Sequence, residues 1–306
     1  MEEVLGIDLG GTAIKLGRFD REGNCGERLT VETPQPSTPE AVLEAIVGAI
    51  DRLDPRRNCV AVGLGTPGPA DETGRIAKVA INLSGWKEVP VADILEGKLK
   101  RPVVLANDAN CAGLGEAWLG AGRGFGDLIV LTLGTGVGGA IILGNRLFVG
   151  RHGAAGELGL ITLNPEGPPC NSGNNGSLEQ YGSVRAIRRE TGCEPHELAA
   201  KAKAGDGEAI EYWEAYGRRL GAGLASLIYV LTPEAVVIGG GIAAGADLFF
   251  PAMKGEIDRR VLPTSREGLQ ILTAQLGNGA GTIGAAQLAW QHWQEMSGRS
   301  EGIESW

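Results

Sequence analysis

Residues 6–12 read GIDLGGT and residues 133–139 read LGTGVGG, and these two glycine-rich stretches decide the fold of the chain. Each lies between two strand-like runs, so each is predicted to form the tip of a β-hairpin. Successive glycines leave the backbone N–H groups of a turn unobstructed, which makes a cradle for phosphate oxygens. Two such turns predict a nucleotide triphosphate held between two lobes.

Length and composition are typical of a two-domain globular enzyme. The chain has 306 residues, and its 43% hydrophobic content is enough to fill the cores of two domains. Its net charge of −9 and the lack of a basic run argue against nucleic acid or an anionic membrane and favour a small-molecule partner. There is no apolar stretch of ~20 residues, no signal peptide and no disulfide framework among five scattered cysteines, so a cytoplasmic protein is expected.

Strand and helix patterns alternate along the chain, which predicts a mostly parallel sheet in each half and a weak internal duplication. The first half begins with a three-strand meander. The remaining predicted elements are a helix opened by Pro39, strands at 60–64 and 102–105, a helix at 109–119, strands at 128–133 and 139–143, helices near 178–191 and 207–231, a strand at 235–238, a helix near 247–261, a strand at 269–275 and an amphipathic helix at 281–296.

Five stretches follow one another in a characteristic order: DLGGTAIK (8–15), LANDAN (105–110), LGTGVGG (133–139), GAAGELG (153–159) and IGGGI (238–242). In this order and spacing the chain resembles the sugar kinases of the ROK family over nearly its whole length. Each motif is weak by itself, but five in register are specific. Residues 33–39 (TPQPSTP) are also similar to the polyphosphate-dependent glucokinases of that family.

The resemblance implies an α/β, actin-like ATPase fold of two ribonuclease-H-like lobes with a cleft between them. We expect a small N-terminal lobe of residues 1–117, completed by the C-terminal helix 283–306, and a larger C-terminal lobe of residues 118–282. The implied activity is the ATP-dependent phosphorylation of a hexose in carbohydrate metabolism, with glucose as the first candidate. The implied cofactors are ATP and Mg²⁺, and a homo-oligomer, either a dimer or a tetramer, is expected.

By similarity, the two glycine turns supply the nucleotide site, because phosphoryl transfer needs mainly positioning and charge neutralisation. Lys15 would add a nearby positive charge, and Asp8 would hold Mg²⁺ through water. A tight hairpin without a ligand is the alternative for residues 8–12. The predicted nucleotide-binding residues are Asp8, Gly10, Gly11, Thr12, Lys15, Thr135, Gly136, Gly240 and Gly241.

Asp108 is the predicted catalytic residue. It lies where a strand ends and a helix begins, so the residues alone leave an N-terminal helix cap open as its other role. With the family motifs in register, the resemblance favours a general base that takes the proton of the attacking sugar hydroxyl. The predicted sugar-binding residues are Gly65, Asn82, Asn107, Asp108, Glu157 and Glu179, with solvated surface glutamates as the alternative for the last two.

The chain departs from the family pattern between Glu157 and Glu179. Many relatives carry a His three residues after the first glutamate and three cysteines before the second, which together bind a structural zinc. Here Leu160 stands at the His position, and of the cysteine positions only Cys170 is kept, because Ser172 and Ser177 replace the others. A closed zinc site needs four nitrogen or sulfur ligands, so no zinc is expected, and the preference among hexoses is left open.

Other functions stay open from the sequence. Residues 134–139 fit the dinucleotide-binding pattern of a nicotinamide-dependent dehydrogenase, but a strand follows where that fingerprint needs a helix. The missing zinc ligands leave a non-catalytic sugar-binding sensor as an alternative. The presence of Asp108 and Lys15, the predicted base and phosphate-binding cation, argues against it. Kinases for N-acetylmannosamine, N-acetylglucosamine, mannose or fructose, and the use of polyphosphate in place of ATP, also remain.

Overall fold

The computed structural model describes residues 2–80 and 82–298. In chain order the first elements are β1 (Glu3–Leu9), β2 (Ala13–Phe19), β3 (Cys25–Glu32), α1 (Pro39–Leu53), β4 (Cys59–Thr66), β5 (Ala77–Val79), β6 (Lys87–Val89), α2 (Val91–Leu99), β7 (Val103–Asn107) and α3 (Asp108–Leu119). They are followed by β8 (Leu128–Leu133), β9 (Val137–Leu143), β10 (Arg146–Leu147), α4 (Glu179–Gly182), α5 (Val184–Thr191), α6 (Pro195–Lys203), α7 (Gly207–Leu231), β11 (Ala235–Gly239), α8 (Ala246–Arg260), β12 (Gln270–Thr273) and α9 (Ala280–Ser297).

The chain divides into two compact units. Of the described residues, the first contains those from Glu2 to Gly120, the segment Leu147–Ala155 and those from Asn278 to Gly298, and the second contains Ala121–Arg146 and Gly156–Gly277. The sequence placed residues 147–155 within the larger lobe, but this segment packs with the first unit. Lys78 donates a hydrogen bond to the His152 carbonyl, and Gly153 lies against the backbone of Ala70. The end of the predicted helix 283–306 lies outside the described residues.

A five-stranded sheet in the order β3-β2-β1-β4-β7 forms the centre of the first unit. Strands β1, β4 and β7 run parallel, and Gly65 of β4 pairs with Asp8 on one side and with Ala106 on the other. The carboxyl ends of the three strands are therefore level. As a result, residues predicted for the functional site from three separate parts of the sequence lie at one edge of this sheet.

Helix α9 packs directly on the backbones of β1 and β4. A Cβ atom added to Gly6 would lie 2.1 Å from the Thr282 carbonyl oxygen, and one added to Gly63 would lie 1.8 Å from the Ala285 carbonyl oxygen. Only a residue without a side chain allows this approach. On α9 itself, Gly284 makes the matching contact with α3, because its Cβ position is 1.6 Å from the Cys111 carbonyl oxygen.

Helix α1 covers another part of the first sheet. Thr38 accepts a hydrogen bond from the Ala41 N–H and Pro39 occupies the first turn, so the helix begins where the sequence predicted. Its apolar residues recur at helical spacing and are buried in the core of the unit. Burial of this stripe, at about 25 cal/mol per Å² of apolar surface, is what holds the helix on the sheet.

The second unit repeats the arrangement around the sheet β10-β9-β8-β11-β12. Strands β8 and β9 form the antiparallel hairpin, while β11 runs parallel to both β8 and β12. Helices α7 and α8 enclose a core in which the rings of Trp213, Tyr216 and Phe249 are in contact. No helix among residues 2–80 and 82–298 has the length and apolar character needed to cross a bilayer.

Candidate functional site

The turn between β1 and β2 closes on itself. The Gly10 N–H donates a hydrogen bond to the Ala13 carbonyl oxygen at 3.0 Å. Thr33, which lies outside the turn, stabilises it with two hydrogen bonds. Its hydroxyl donates to the Gly10 carbonyl at 2.7 Å, and its N–H donates to the Thr12 carbonyl at 3.0 Å. The Gly10 N–H is thus used within the turn, so Gly11 and Thr12 are the better candidates for donors to a phosphate.

Asp8 and Lys15 face each other across the β1–β2 pair. The Lys15 Nζ lies 3.7 Å from the Asp8 Oδ2. Burial raises the pKa of Asp8, and the Lys15 ammonium group only partly opposes this rise. Gly281 in the first turn of α9 has its Cβ position 3.0 Å from the Asp8 Cγ, so a larger residue there would press on the carboxyl group.

Asn107, and not Asp108, caps helix α3. The Asn107 Oδ1 accepts hydrogen bonds from the N–H groups of Ala109 at 2.9 Å and Asn110 at 3.4 Å. Asp108 is the first residue of the helix, and its Oδ1 accepts from the Ala109 N–H at 2.7 Å. Since its Oδ1 is committed to these N–H groups, Asn107 has only the two N–H groups of its amide nitrogen for Asp108 and for a ligand.

The Asp108 side chain reaches solvent, yet the surrounding protein desolvates its carboxyl group. This desolvation raises the pKa of Asp108, and the negative charge of Asp8 raises it further, against the hydrogen bonds from Ala109 and Asn107. Desolvation of one carboxyl and proximity of a second are the two features expected of a group that takes up a proton.

Cys111 lies in the core beneath these carboxylates. It is fully buried, and burial together with the charges of Asp8 and Asp108 raises the pKa of its thiol, so the group stays neutral and unreactive. The Cβ position of Gly65 is 3.3 Å from the Cys111 Sγ. Gly65 is itself buried between two neighbouring strands, so a side chain at this position would need the Cys111 thiol to shift by a few tenths of an ångström.

Asn82 lies beside the first glycine turn. Its Cβ is 3.9 Å from the Cβ position of Gly11, and the residue is exposed. The first unit therefore brings together most of the predicted residues that belong to it: Asp8, Gly11, Thr12, Lys15, Asn82, Asn107 and Asp108.

The turn between β8 and β9 is held mainly by α4 and α5. The Gly134 N–H donates to the Gly136 carbonyl at 2.9 Å, and the Gly134 carbonyl accepts from the Val184 N–H at 2.8 Å. The Val137 N–H donates to the Glu179 Oε2 at 3.0 Å. Thr135 is exposed at the tip of the turn. Glu179 thus touches the predicted nucleotide turn, although the sequence predicted it only as a sugar ligand.

The glycines after β11 lie beside this turn. Gly239 pairs with Thr132 of the parallel strand β8, so the ends of the two strands are level. Gly240 has a φ of +86°, and its Cβ position is 2.3 Å from the Leu133 carbonyl oxygen, so only glycine fits there. Gly241 is exposed with no atom within 4 Å of its Cβ position, which leaves its surface open to a ligand.

Glu157 precedes a short 3-10 turn, Leu158–Leu160, and is exposed. This turn lies directly against β9, because the Cβ position of Gly159 is 2.1 Å from the Val137 carbonyl oxygen. Val137 therefore contacts the segments of both predicted sugar-binding glutamates, with its carbonyl facing Gly159 and its N–H bound to Glu179.

Asn174 ties together the loop between these two glutamates. Its Nδ2 donates to the Leu160 carbonyl at 3.1 Å and to the Thr162 hydroxyl at 2.9 Å, and its Oδ1 accepts from the Asn175 N–H at 2.8 Å. Its backbone carbonyl accepts from the Cys170 N–H at 2.7 Å. Within residues 2–80 and 82–298, no group of three or more His, Cys, Asp or Glu side chains is placed to hold a metal ion.

Sequence reasoning missed Thr33, Val137, Asn174 and Gly281. Thr33 belongs to the TPQPSTP stretch, which gave no sign of a contact with the first glycine turn, and Gly281 lacks any local motif, so each meets the site only through folding. Asn174 lies among Asn, Ser and Gly residues that all favour turns, so composition could not single it out. The predicted helix at 178–191 is also wrong in its continuity, because Ser183 interrupts it and caps α5.

Comparison with known proteins gives concordant results. The model of the ROK family matches residues 4–292. The chain is 35% identical to a glucokinase of Streptomyces coelicolor, over 94% of this chain and 97% of that protein. Among solved structures, a ROK hexokinase from Thermus thermophilus is 36% identical with a TM-score of 0.85, covering 96% of this chain and 99% of that one. A ROK family glucokinase from Streptomyces griseus, in complex with glucose and AMPPNP, is 36% identical with a TM-score of 0.75, covering 94% and 99%.

Proposed function

Because this chain belongs to the ROK family and is a sugar kinase with the actin-like ATPase fold of that family, we propose that it transfers the terminal phosphoryl group of ATP to glucose. The observation that carries this proposal is the division of roles at the start of α3. Asn107 caps the helix, and the Asp108 carboxylate beside it is solvent-accessible and close enough to Asp8 for their charges to interact.

In the proposed reaction, a sugar hydroxyl attacks the terminal phosphorus of ATP. As the new O–P bond forms, the hydroxyl proton passes to the Asp108 carboxylate, and the bond to the bridging oxygen breaks so that ADP leaves. The raised pKa of Asp108 suits this task, because a base of higher pKa accepts the proton more readily. Asp108 takes up the proton in its ionised form, so the reaction begins with the carboxylate.

The first unit would also hold Mg²⁺ with the nucleotide. Mg²⁺ takes one or two carboxylates together with waters and substrate phosphates, and the half-buried Asp8 carboxylate fits this preference. The ion would neutralise charge on the phosphates. Lys15 would contribute a second positive charge at 3.7 Å from Asp8, and the N–H groups of Gly11 and Thr12 would contact phosphate oxygens.

The second unit would contribute the turn at Thr135 and Gly136 and the open backbone at Gly240 and Gly241 to the nucleotide site. The two segments follow the ends of the neighbouring parallel strands β8 and β11. This placement supports the proposal that both contact the nucleotide. At Gly241, where no atom lies within 4 Å of the Cβ position, glycine would let the ligand approach the backbone closely. The 35% identical glucokinase and the AMPPNP-bound glucokinase support ATP as the phosphoryl donor.

Amides and carboxylates are the groups proposed to hold the sugar. Asn82 and the Asn107 amide nitrogen would come from the first unit, and Glu157 and Glu179 from the second. Gly65 is buried within β4, so its contribution would be to the packing beneath Asp8 and not to hydroxyl contacts. Leu160 supplies no polar side chain to a sugar hydroxyl, so selectivity would depend on the remaining groups.

The test is a coupled assay of sugar-dependent ADP formation with ATP and Mg²⁺. Glucose, mannose, N-acetylglucosamine, N-acetylmannosamine and fructose are compared at equal concentration, and polyphosphate then replaces ATP. We expect glucose to give the highest kcat/KM. A higher kcat/KM with another hexose would identify that hexose as the preferred substrate. Activity with polyphosphate would identify polyphosphate as a phosphoryl donor. Sugar binding without ADP formation for every hexose would favour a sensor over a kinase.

A further inference from the structure

Gly136 faces a carboxylate within the second unit. The Cβ position of Gly136 is 2.4 Å from the Glu179 Oε2 and 3.2 Å from its Cδ. The same Oε2 accepts a hydrogen bond from the Val137 N–H at 3.0 Å. A glycine whose missing side chain was expected to admit a phosphate therefore has a carboxylate of the protein in that space.

We propose that Glu179 acts as an electrostatic guard of the nucleotide turn between β8 and β9. Its carboxylate weakens triphosphate binding at this turn, so that the turn binds a triphosphate tightly only when sugar is bound. The proposal rests on the function proposed above. A carboxylate hydrogen-bonded to a turn N–H opposes a phosphate group arriving at the same turn, because the two negative charges repel. The effect depends on position, since Glu179 at the start of α4 lies against the turn at Gly136 and Val137.

The contacts around Glu179 make this position fixed. Glu179 begins α4, its carbonyl accepts from the Ser183 N–H at 3.2 Å, and Ser183 caps α5. The first residue of α5, Val184, in turn donates to the Gly134 carbonyl of the same turn at 2.8 Å. The turn and the guarding carboxylate are thus linked through two short helices, and a shift of one displaces the other.

Sugar binding reverses the effect. A carboxylate has several lone pairs, and the Val137 N–H uses only one of them on Oε2. The proton of a sugar hydroxyl that donates to the other oxygen, Oε1, partly compensates the carboxylate charge and so weakens its repulsion of a phosphate at the turn. Affinity for the nucleotide then rises, and by thermodynamic reciprocity the nucleotide raises the affinity for sugar by the same factor. Without sugar, the terminal phosphoryl group is less well held, which protects ATP from hydrolysis by water.

Glu179→Gln tests the proposal. The amide oxygen still accepts from the Val137 N–H and the size is unchanged, but the charge is removed. The Kd of AMPPNP with Mg²⁺ is measured by calorimetry, without sugar and with saturating sugar. In the parent we expect sugar to tighten AMPPNP binding by about fivefold or more, the usual lower range for coupled sites. In Glu179→Gln we expect tighter AMPPNP binding without sugar, and little further gain when sugar is added.

Two controls separate the guard from simpler explanations. Glu208→Gln removes the same charge from the exposed first turn of α7 and should leave both AMPPNP Kd values unchanged. Glu157→Gln should weaken sugar binding without tightening sugar-free AMPPNP binding. An unchanged or weaker sugar-free AMPPNP affinity in Glu179→Gln would overturn the guard while leaving kinase activity in place. A parent protein that binds AMPPNP but phosphorylates no hexose would instead overturn the proposed function.

Discussion

Asn107 and Asp108 are adjacent in the sequence, yet only Asn107 caps helix α3. Both side chains can accept hydrogen bonds from the first N–H groups of a helix, so the sequence left the two roles open. The structure assigns the cap to Asn107 through the N–H groups of Ala109 and Asn110. A substitution at 108 should therefore change chemistry without removing the cap, which makes this residue suitable for a test of mechanism.

Asp108→Asn should abolish most of the turnover. The amide has the same size but accepts no proton, and general-base catalysis contributes about 10²- to 10⁴-fold in rate. We expect kcat to fall within that range while the KM for sugar changes little, as measured by the coupled ADP assay. Retention of turnover within about threefold of the parent would place the base elsewhere.

The same substitution should improve stability at neutral pH. The pKa of Asp108 is raised, so the folded protein binds this proton more tightly than the unfolded chain does. The stabilising contribution of Asp108 is full below its unfolded pKa and is lost as pH rises through the folded pKa. Relative to the parent, the melting temperature of Asp108→Asn should therefore increase between about pH 3 and about pH 7. A constant difference across this range would contradict the raised pKa.

Helix α9 depends on glycine at its contact with α3. The Gly284 Cβ position is 1.6 Å from the Cys111 carbonyl oxygen, and a backbone atom in the middle of a helix cannot move aside cheaply. The same helix approaches β1 and β4 at Gly6 and Gly63. Gly6 and Gly63 thus set how closely this helix lies to the sheet that carries Asp8, and Gly284 sets how closely it lies to α3.

Gly284→Ala should destabilise the protein, because overpacking of this kind costs about 1–3 kcal/mol or more. The matched control is Gly48→Ala in α1, where no atom lies within 4 Å of the Cβ position. There the higher helix propensity of Ala should stabilise by up to about 1 kcal/mol. Chemical denaturation measures both variants, and changes of the same sign would show that the close contact does not govern stability.

For the whole molecule, metal content is a direct test of how the loop between Glu157 and Glu179 is held. Asn174 joins the two arms of this loop by hydrogen bonds to Leu160, Thr162 and Asn175. Such bonds contribute about 1 kcal/mol each and involve no metal. A structural zinc site, by contrast, needs a full set of four nitrogen or sulfur ligands, and unfolds when the metal is removed.

Purified protein should therefore contain no stoichiometric zinc by elemental analysis. EDTA should leave the melting temperature unchanged, because the loop is held by protein groups. The chelator should stop turnover, and excess Mg²⁺ should restore it. One tightly held zinc per chain, or a melting temperature that falls with EDTA, would show that the chain supplies ligands by another route.

Most of the helices and strands, and their order along the chain, follow from local patterns in the sequence. Hairpins at GIDLGGT and LGTGVGG, the α1 helix after Thr38 and the repeated sheet order follow from glycine placement, capping and apolar periodicity, all of which act between near neighbours in the chain. The short strands β5 and β6 and the helices α2 and α6 were missed, because their patterns are brief.

Which groups of these elements meet depends on the tertiary structure. It turned the Gly10 N–H inward to Ala13, gave the α3 cap to Asn107, packed Leu147–Ala155 with the first unit and set Glu179 on a turn 42 residues away, at Val137. Each outcome is a choice among donors and acceptors of similar strength. Packing determines which donors and acceptors come within hydrogen-bonding distance of one another. Their separation along the chain does not predict which of them will meet.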